Sequence, residues 1–391
     1  MDWEEVTLGE LIDINKKNIN KNNDYSYINY YDISSIGTGL KKESKYYRVE
    51  DMPSRAKRII DNHDIIISTV RPIHRAFYYC ENTKYNDVVS TGFAVLTARK
   101  KFLDSRFLYY IISSDDFTNY LVSHQQGATY PTITPDTIKK SKIKLPPLKT
   151  QKKIASILSN YDKLIENNNK RIKLLESMAE EIYKEWFVRL RFPEFEKVEI
   201  VDGVPEGWEN LALKELAILT MGQSPKSDAY NEEKEGLPFH QGVTNYGFRF
   251  PSNQTWSREG KRYAEKGDIL FSVRAPVGRL NIASEKIIIG RGISSIRHKK
   301  SWNSFLFYAL KHIFFEDDLI GSGSIFSSVT KKDMENIIIL ESDDNLMFEF
   351  NKIVEPMDKE IRNLLTKNKN LKETRDLLLP KLIHGTLNVE D

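Results

Sequence analysis

Side chains that offer paired hydrogen-bond donors and acceptors, set among cations, recur in two stretches of this 391-residue chain. That combination suits the edges of base pairs and the phosphates beside them. In the first stretch the candidates are Lys16, Lys17 and Lys21, Tyr30 and Tyr31, Arg71, His74 and Arg75, and Gln125, Gln126, Thr129 and Tyr130. In the second they are Gln223, Gln241, Asn245, Tyr246, Arg249, Arg258, Lys261, Arg262, Arg274, Arg279, Arg291 and Ser324. Arg71 and Arg274 stand at matching turns after a strand and close to a proline, as do Arg75 and Arg279. Gln125-Gln126-Gly127 and Ser322-Gly323-Ser324 occupy equivalent loops with different chemistry, so they are expected to read different bases. A turn arginine also serves as ordinary solvated surface. Arg274→Ala is expected to weaken site-specific DNA binding.

Signatures of catalysis are weak by comparison. The chain has neither the Asn-Pro-Pro-Tyr/Phe string of an amino-methyltransferase nor a GxxxxGK[ST] phosphate loop. Gly37-Thr38-Gly39 and Gly321-Ser322-Gly323 lack a third glycine and read as turns. Pro193-Glu194-Phe195-Glu196-Lys197 resembles a nuclease carboxylate-x-lysine pattern, yet it falls where a linker is expected. The seven histidines show no ligand spacing, and Cys80 is the only cysteine, which excludes disulfide frameworks and cysteine-zinc sites. No catalytic residue and no metal ligand is therefore assigned.

The two stretches are copies of one another. Trp3, Glu4, Leu8 and Leu11 align with Trp208, Glu209, Leu213 and Leu216 at an offset of about 205; Asp64 and Ser68 then align with Asp268 and Ser272, Gly92 with Gly292, and Tyr110 with Tyr308. From Ile143 onward the offset holds at 196, which places Asp162 on Asp358 and Leu175 on Leu371. So long a period marks a duplicated domain, not a solenoid. Strand-like runs at Asp64–Val70 and Val88–Thr97, with a helical stretch near Phe107–Ser123, make each copy an α+β globule. The 19 tyrosines and 19 phenylalanines fit β-rich cores, with base stacking as the other use of such rings. Net charge is +3, which permits nucleic acid as a partner without demanding it. No apolar run reaches membrane-spanning length and Met1-Asp2-Trp3-Glu4-Glu5 is unlike a signal peptide, so a cytoplasmic location is expected.

After each globule comes a heptad seam: Leu158, Tyr161, Ile165, Asn168, Ile172, Leu175, Ala179 and Ile182 in the first, and Val354, Met357, Ile361, Leu364, Asn368, Leu371, Arg375 and Leu378 in the second. Pro146-Pro147 stops the first globule, and Pro356 suits a first helical turn, so the continuous part of the second helix is expected to start there. A helix of about 28 residues is about 42 Å long and cannot leave such a seam exposed. Each stripe could cover its own globule, but a strict 3.5-residue period favours packing of the two stripes on each other. Antiparallel pairing lets Asn168 meet Asn368, and it sets Leu175 on Ile361, Ile172 on Leu364 and Tyr161 on Arg375, the last as a cation–π contact. The expected form is a dumbbell with a pseudo-two-fold axis, a geometry that resembles a half-site ruler on DNA.

Several strings resemble the specificity subunit of type I restriction–modification systems. IYKEWFVRLRFPEFE at 182–196 with VDGVPEGWE at 201–209 is similar to the family's junction between first spacer helix and second target-recognition domain. RDLLLPKLIHGTL at 375–387 resembles the end of its second spacer helix, GATYPTITPDTIKKSKIKLPPLKTQKKIASIL at 127–158 its exit from a recognition domain, and GDILFSVRAPVGR at 267–279 a strand-turn within one. Thr150-Gln151 departs from the family's Glu-Gln, and LESDDNLMFEF at 340–350 lacks the paired prolines. The resemblance implies two similar α+β target-recognition domains, at 1–146 and 208–342, and a two-helix antiparallel coiled coil from spacer helices at 147–192 and 343–391, with a linker at 193–207. It further implies a non-catalytic reader of a bipartite double-stranded DNA site that scaffolds adenine-N6 methyltransferase (modification) and ATP-dependent restriction/translocase subunits. S-adenosylmethionine, ATP and Mg would then sit on those partners, with no cofactor on this chain. An enzyme with cryptic nuclease or methyltransferase activity, and a protein scaffold that never touches DNA, are the competing classes.

Overall fold

The computed structural model describes residues 3–19, 25–315 and 328–389. Lys21, Ser324 and the Gly321–Gly323 turn lie outside them. The chain divides into two compact units, Met1–Asn167 with Lys367–Asp391, and Asn168–Thr366.

The first unit is built on two sheets. One orders its strands Ile12–Ile14, Phe93–Ala98, Ile65–Ser68, Phe77–Tyr79, all antiparallel. The other orders Lys45–Arg48, Tyr27–Tyr31, Asp87–Ser90, Ala56–Ile59, with a parallel pair in the middle. The run expected as one strand over Val88–Thr97 is thus two strands in different sheets, broken at Thr91-Gly92. The single expected helix is also two, Ser105–Ile112 and Asp115–Ser123, because Ser114 accepts from the Phe117 amide and caps the second. Glu4–Thr7 pairs with Lys142–Leu145, so the globule closes just before its long helix leaves.

That helix is Leu148–Tyr183, and its start is clamped by Gln151, which is fully buried, accepts from the Asp104 amide, and donates to the Phe102 and Pro146 carbonyls. In this unit Ile154, Ala155 and Leu158 share the globule's core with Leu379, Leu382 and Ile383 of a second long helix, Asp344–Ile383. The beginning of one helix thus lies beside the end of the other. Gly385 follows in the left-handed region at φ +72°, where an added Cβ would meet the Trp3 ring at 3.2 Å.

The second unit repeats the plan. Ala217–Met221, Ile293–His298, Ile269–Ser272 and Leu280–Ile282 form the antiparallel sheet, and Leu237–His240 runs parallel to Ile287–Ile289 in the other. Asn303–Phe315 is its main helix, and Glu209–Ala212 pairs with Ile338–Glu341 at the exit. Here the end of the first long helix continues as a π-helical turn, Lys184–Val188, and packs Tyr183, Trp186 and Phe187 against Phe305 and Phe350.

The second long helix starts at Asp344, well before Pro356. Asp343 caps it through the Asn345 and Leu346 amides, while Met347, Phe350 and Val354 are fully buried in the second core. That burial outweighs the amide and the helical hydrogen bond that an interior proline forfeits. The expected neighbours Ile172 with Leu364 and Leu175 with Ile361 fall in one buried cluster, again with the helices antiparallel. The seam is nevertheless shared: Leu158 in one unit, and Ala179 and Val354 in the other, cover globule and partner helix at once. Asn368 is buried in the first unit, and Asn168 is half-buried in the second. Arg375 donates to Asp162 at 2.5 Å instead of stacking on Tyr161, since a carboxylate one residue along repays a part-buried guanidinium better than a ring face.

Candidate nucleic-acid interface

In the first unit the hairpin Ile65–Ser68/Phe77–Tyr79 ends in a turn held from two sides. Thr69 donates to the Gly92 carbonyl, and Val70 bridges Thr132, which in turn bridges Gln126. The Arg71 amide donates to the Pro131 carbonyl at 2.8 Å, and its guanidinium lies over the Tyr130 ring, 5.4 Å from the centroid. Arg71 takes φ +47° to make this turn. Arg71, His74, Gln126, Thr129 and Tyr130 are thereby brought onto two adjoining exposed loops.

Other candidates of this half are placed differently. Arg75 is engaged by its own chain, on Asp115 at the surface and on the Ser113 carbonyl at 2.5 Å. Gln125 is half-buried, Lys16 is exposed, and Lys17 pairs with Asp61 at 2.6 Å. Tyr30 and Tyr31 are only 5% and 7% exposed. They point to opposite faces of a strand, but each face is covered by its own core, so neither ring is free to stack on a base.

In the second unit a comparable surface is organised by Ser224, which sequence reasoning passed over. Its hydroxyl donates to Gln241 Oε1 at 2.6 Å and accepts from the Arg291 amide at 3.3 Å. The Gly292 amide donates to the Gln241 carbonyl and the Val273 amide to Gly292, so Gln223, Gln241, Arg291 and Arg274 gather at one set of strand ends. Glycine is required there, because a Cβ on Gly222 would sit 2.1 Å from the Gly290 carbonyl oxygen. The signal for Ser224 is its place between Gln223 and Pro225, a turn beside a candidate.

Arg258 pairs with Glu235 at 2.5 Å on the surface, and Lys261, Arg262 and Arg279 are exposed. Asn245 shapes a turn, its carbonyl accepting from the Ser252 amide, and Tyr246 is half-buried, with burial pushing its phenol well above the ordinary range. Arg249 is 2% exposed and paired internally, so it has no face to offer DNA.

The arginine turns match with a shift of one residue. Val70 bridges Thr132 where Arg274 bridges Ser328, so Arg274 corresponds to Val70, and Arg71-Pro72 corresponds to Ala275-Pro276. The Ser68 amide donates to Ala76 while that of Ser272 donates to Arg279, because the second turn is one residue shorter, and Arg279 therefore matches Ala76, not Arg75. The offset of 204 between Ser68 and Ser272 already sets Arg71 on Ala275, but carried past the one-residue deletion it sets Arg75 on Arg279 and conceals the second mismatch.

Each globule grips the long helices through a tyrosine and a carboxylate. Tyr110 donates to Asp162 at 2.6 Å in the first unit, and Tyr308 to Asp358 at 3.0 Å in the second. Burial and the adjacent carboxylate push both phenols well above their ordinary range. Glu194 and Lys197, the nuclease-like pair, form an exposed ion pair at 2.8 Å in a turn. Among the described residues no group of three His, Cys, Asp or Glu side chains could hold a metal ion, and no helix is long and apolar enough to cross a membrane.

A family model described as the type I restriction modification DNA specificity domain matches residues 1–177 and again 205–340. The chain is 31% identical to the putative type I restriction enzyme MjaX specificity subunit of Methanocaldococcus jannaschii, across 86% of this chain and 82% of that one. With the type I restriction enzyme HindI specificity subunit of Haemophilus influenzae it shares 26% identity across 99% of its own length and the whole of the relative. The solved S subunit of a type I restriction–modification system from M. genitalium superposes with a TM-score of 0.61 over 98% of this chain and 96% of that one, at 18% identity, which shows a common fold. Matched twice, once per globule, the chain belongs to the type I restriction–modification DNA specificity family.

Proposed function

We propose that this chain is a DNA-sequence selector that reads a bipartite site, one recognition domain per half, and scaffolds adenine-N6 methyltransferase and ATP-dependent restriction subunits in the cytoplasm. As a specificity subunit it does no chemistry itself. S-adenosylmethionine, ATP and Mg then belong to the partner subunits. The observation that carries the reading is the duplicated domain, in which equivalent strand ends present Arg71, His74, Gln126 and Tyr130 in one copy and Gln223, Gln241, Arg274 and Arg291 in the other. Two surfaces of one architecture with different donors and acceptors suit two half-sites of different sequence. Antiparallel helices in each unit fit the same reading.

The test is methyl transfer by the complex of this chain with its modification subunits. Adenine methylation of duplex DNA that depends on this chain, is confined to particular sequences and weakens steeply with salt is expected. Sequence-independent methylation, or none when all subunits are assembled, would overturn the reading.

A further inference from the structure

One guanidinium in the second unit holds together more elements than any DNA-reading role would need. Arg249 forms ion pairs with Glu176 on the first long helix and Asp358 on the second. Both of its terminal nitrogens donate to the Tyr308 hydroxyl, at 3.2 and 3.3 Å, and its central carbon lies 4.0 Å from the centroid of the Phe307 ring. A helix of the globule and both long helices thus converge on one side chain carried by a loop of the recognition domain. Asp358 also accepts from Ser304 at 2.5 Å, and Lys311 extends the cluster to Glu176 and Glu180 at 3.0 and 2.6 Å. Burial alone would lower the guanidinium's pKa, but Asp358, Tyr308 and Glu176 more than reverse this and hold it charged.

The loop that carries it is tightly built. Tyr246 bridges Pro251, the Gly247 amide donates to Phe250 at 3.1 Å, the Ser252 amide to Asn245 at 2.9 Å, and Arg362 of the second long helix lies over the Phe250 ring at 5.0 Å. The first domain has the same loop. Ile36 bridges Lys41, the Gly37 amide donates to Leu40 at 2.9 Å and the Lys42 amide to Ser35 at 2.8 Å. In that register the place of Arg249 is taken by Gly39, at φ +65° and with no side chain to send to a helix. The cation on Asp162 comes instead from Arg375, on the second long helix.

We propose that Arg249 is a positioning residue that bolts the second recognition domain to the helical pair and so fixes the spacing at which this domain meets its half-site. The inference rests on the chain being a bipartite DNA selector. The bolt lies in the loop that also carries Asn245 and Tyr246 and follows Gln241, so the orientation of that loop and of the domain are set together. In the first domain the same task falls to packing, to Tyr110 on Asp162 and to Gln151 on Asp104 and Phe102.

The experiment uses the full chain assembled with its modification subunits and a duplex library randomised in two half-sites and in the length between them. Methylated molecules are sequenced. The wild-type complex is expected to select two half-sites at one spacing. Arg249→Met keeps the long stem against Phe307 but removes the charge; it should select the same bases while spreading over neighbouring spacings, with preference for the native spacing reduced about tenfold. Arg249→Lys, which keeps the charge without the fork, should fall between and carries the comparison should the methionine variant not fold. A spacing profile unchanged in both variants, with selection falling uniformly in proportion to lost stability, would show a merely structural role and overturn the inference. A wild-type complex that selects no bipartite sequence would overturn the functional reading, and this inference with it.

Discussion

The two joints between recognition domain and helix use the same tyrosine and the same carboxylate but draw their cation from different places. At the first joint Arg375 comes from the partner helix and is 27% exposed; at the second Arg249 comes from the domain and is 2% exposed. A shared frame inherited by duplication has therefore been completed twice, in two ways. Where the helix supplies the charge, the domain loop is free to carry glycine and turn tightly. Where the domain supplies it, the loop is committed to the helices and its neighbours inherit a fixed orientation.

The contrast can be broken most forcefully at the carboxylates. Asp358→Ala takes from a buried arginine one of its two carboxylate partners and from the Tyr308 hydroxyl its acceptor, and a loss of about 3 kcal/mol is expected from unbalancing a buried ionic cluster. Asp162→Ala, at a joint that water reaches, should lose only about 1–2 kcal/mol. Denaturant unfolding of the two variants checks this, and equal losses would remove the distinction. Smaller is the effect of Gly39→Ala. Its positive φ and the Tyr109 hydroxyl 3.1 Å from an added Cβ predict a loss of about 1 kcal/mol, read in the same unfolding experiment.

On DNA, Arg274→Ala should weaken binding of the assembled complex and lower its log–log salt slope by about 1 if the contact is to phosphate. Val70→Ala, at the corresponding position, should leave the slope unchanged. The smallest effect is expected at pH. Asp32 caps the turn Ile33–Ser35 and pairs with Lys45, which, together with Ser34, lowers its carboxyl to about 2, whereas the matching turn in the second domain is entered through Gly242 with no side-chain cap. Because the folded value is depressed, this stabilisation is complete above the ordinary carboxylate pKa and disappears as pH falls through about 2. The exposed lysine keeps this contribution small. Amide exchange at Ser34 should quicken over that window while the 243–245 turn shows no such step.

Much of this was legible in the sequence because the duplication repeats it. The alignment sets Tyr110 on Tyr308 and Asp162 on Asp358, the residues of both joints, although nothing in it pairs the tyrosine with the carboxylate. The heptad rows gave the antiparallel partners Ile172 and Leu364. Arg249 was not legible as a bolt, since it stands between Phe248 and Phe250 in a glycine- and proline-flanked turn and its partners lie 73 and 109 residues away. Tyr30 and Tyr31 read as a surface pair because a parallel-containing sheet covered on both faces hides consecutive side chains equally. Pro356 misled because local propensity was overruled by the burial of Met347 and Phe350 ahead of it.

The most direct measurement is to map methylated adenines in a genome carrying this chain with its modification subunits, before and after Arg274→Ala. Two short defined sequences separated by a fixed undefined gap are expected, and the variant should relax or lose one of the two while sparing the other. A single continuous motif, or a variant that degrades both halves alike, would contradict the assignment of one half-site to each domain.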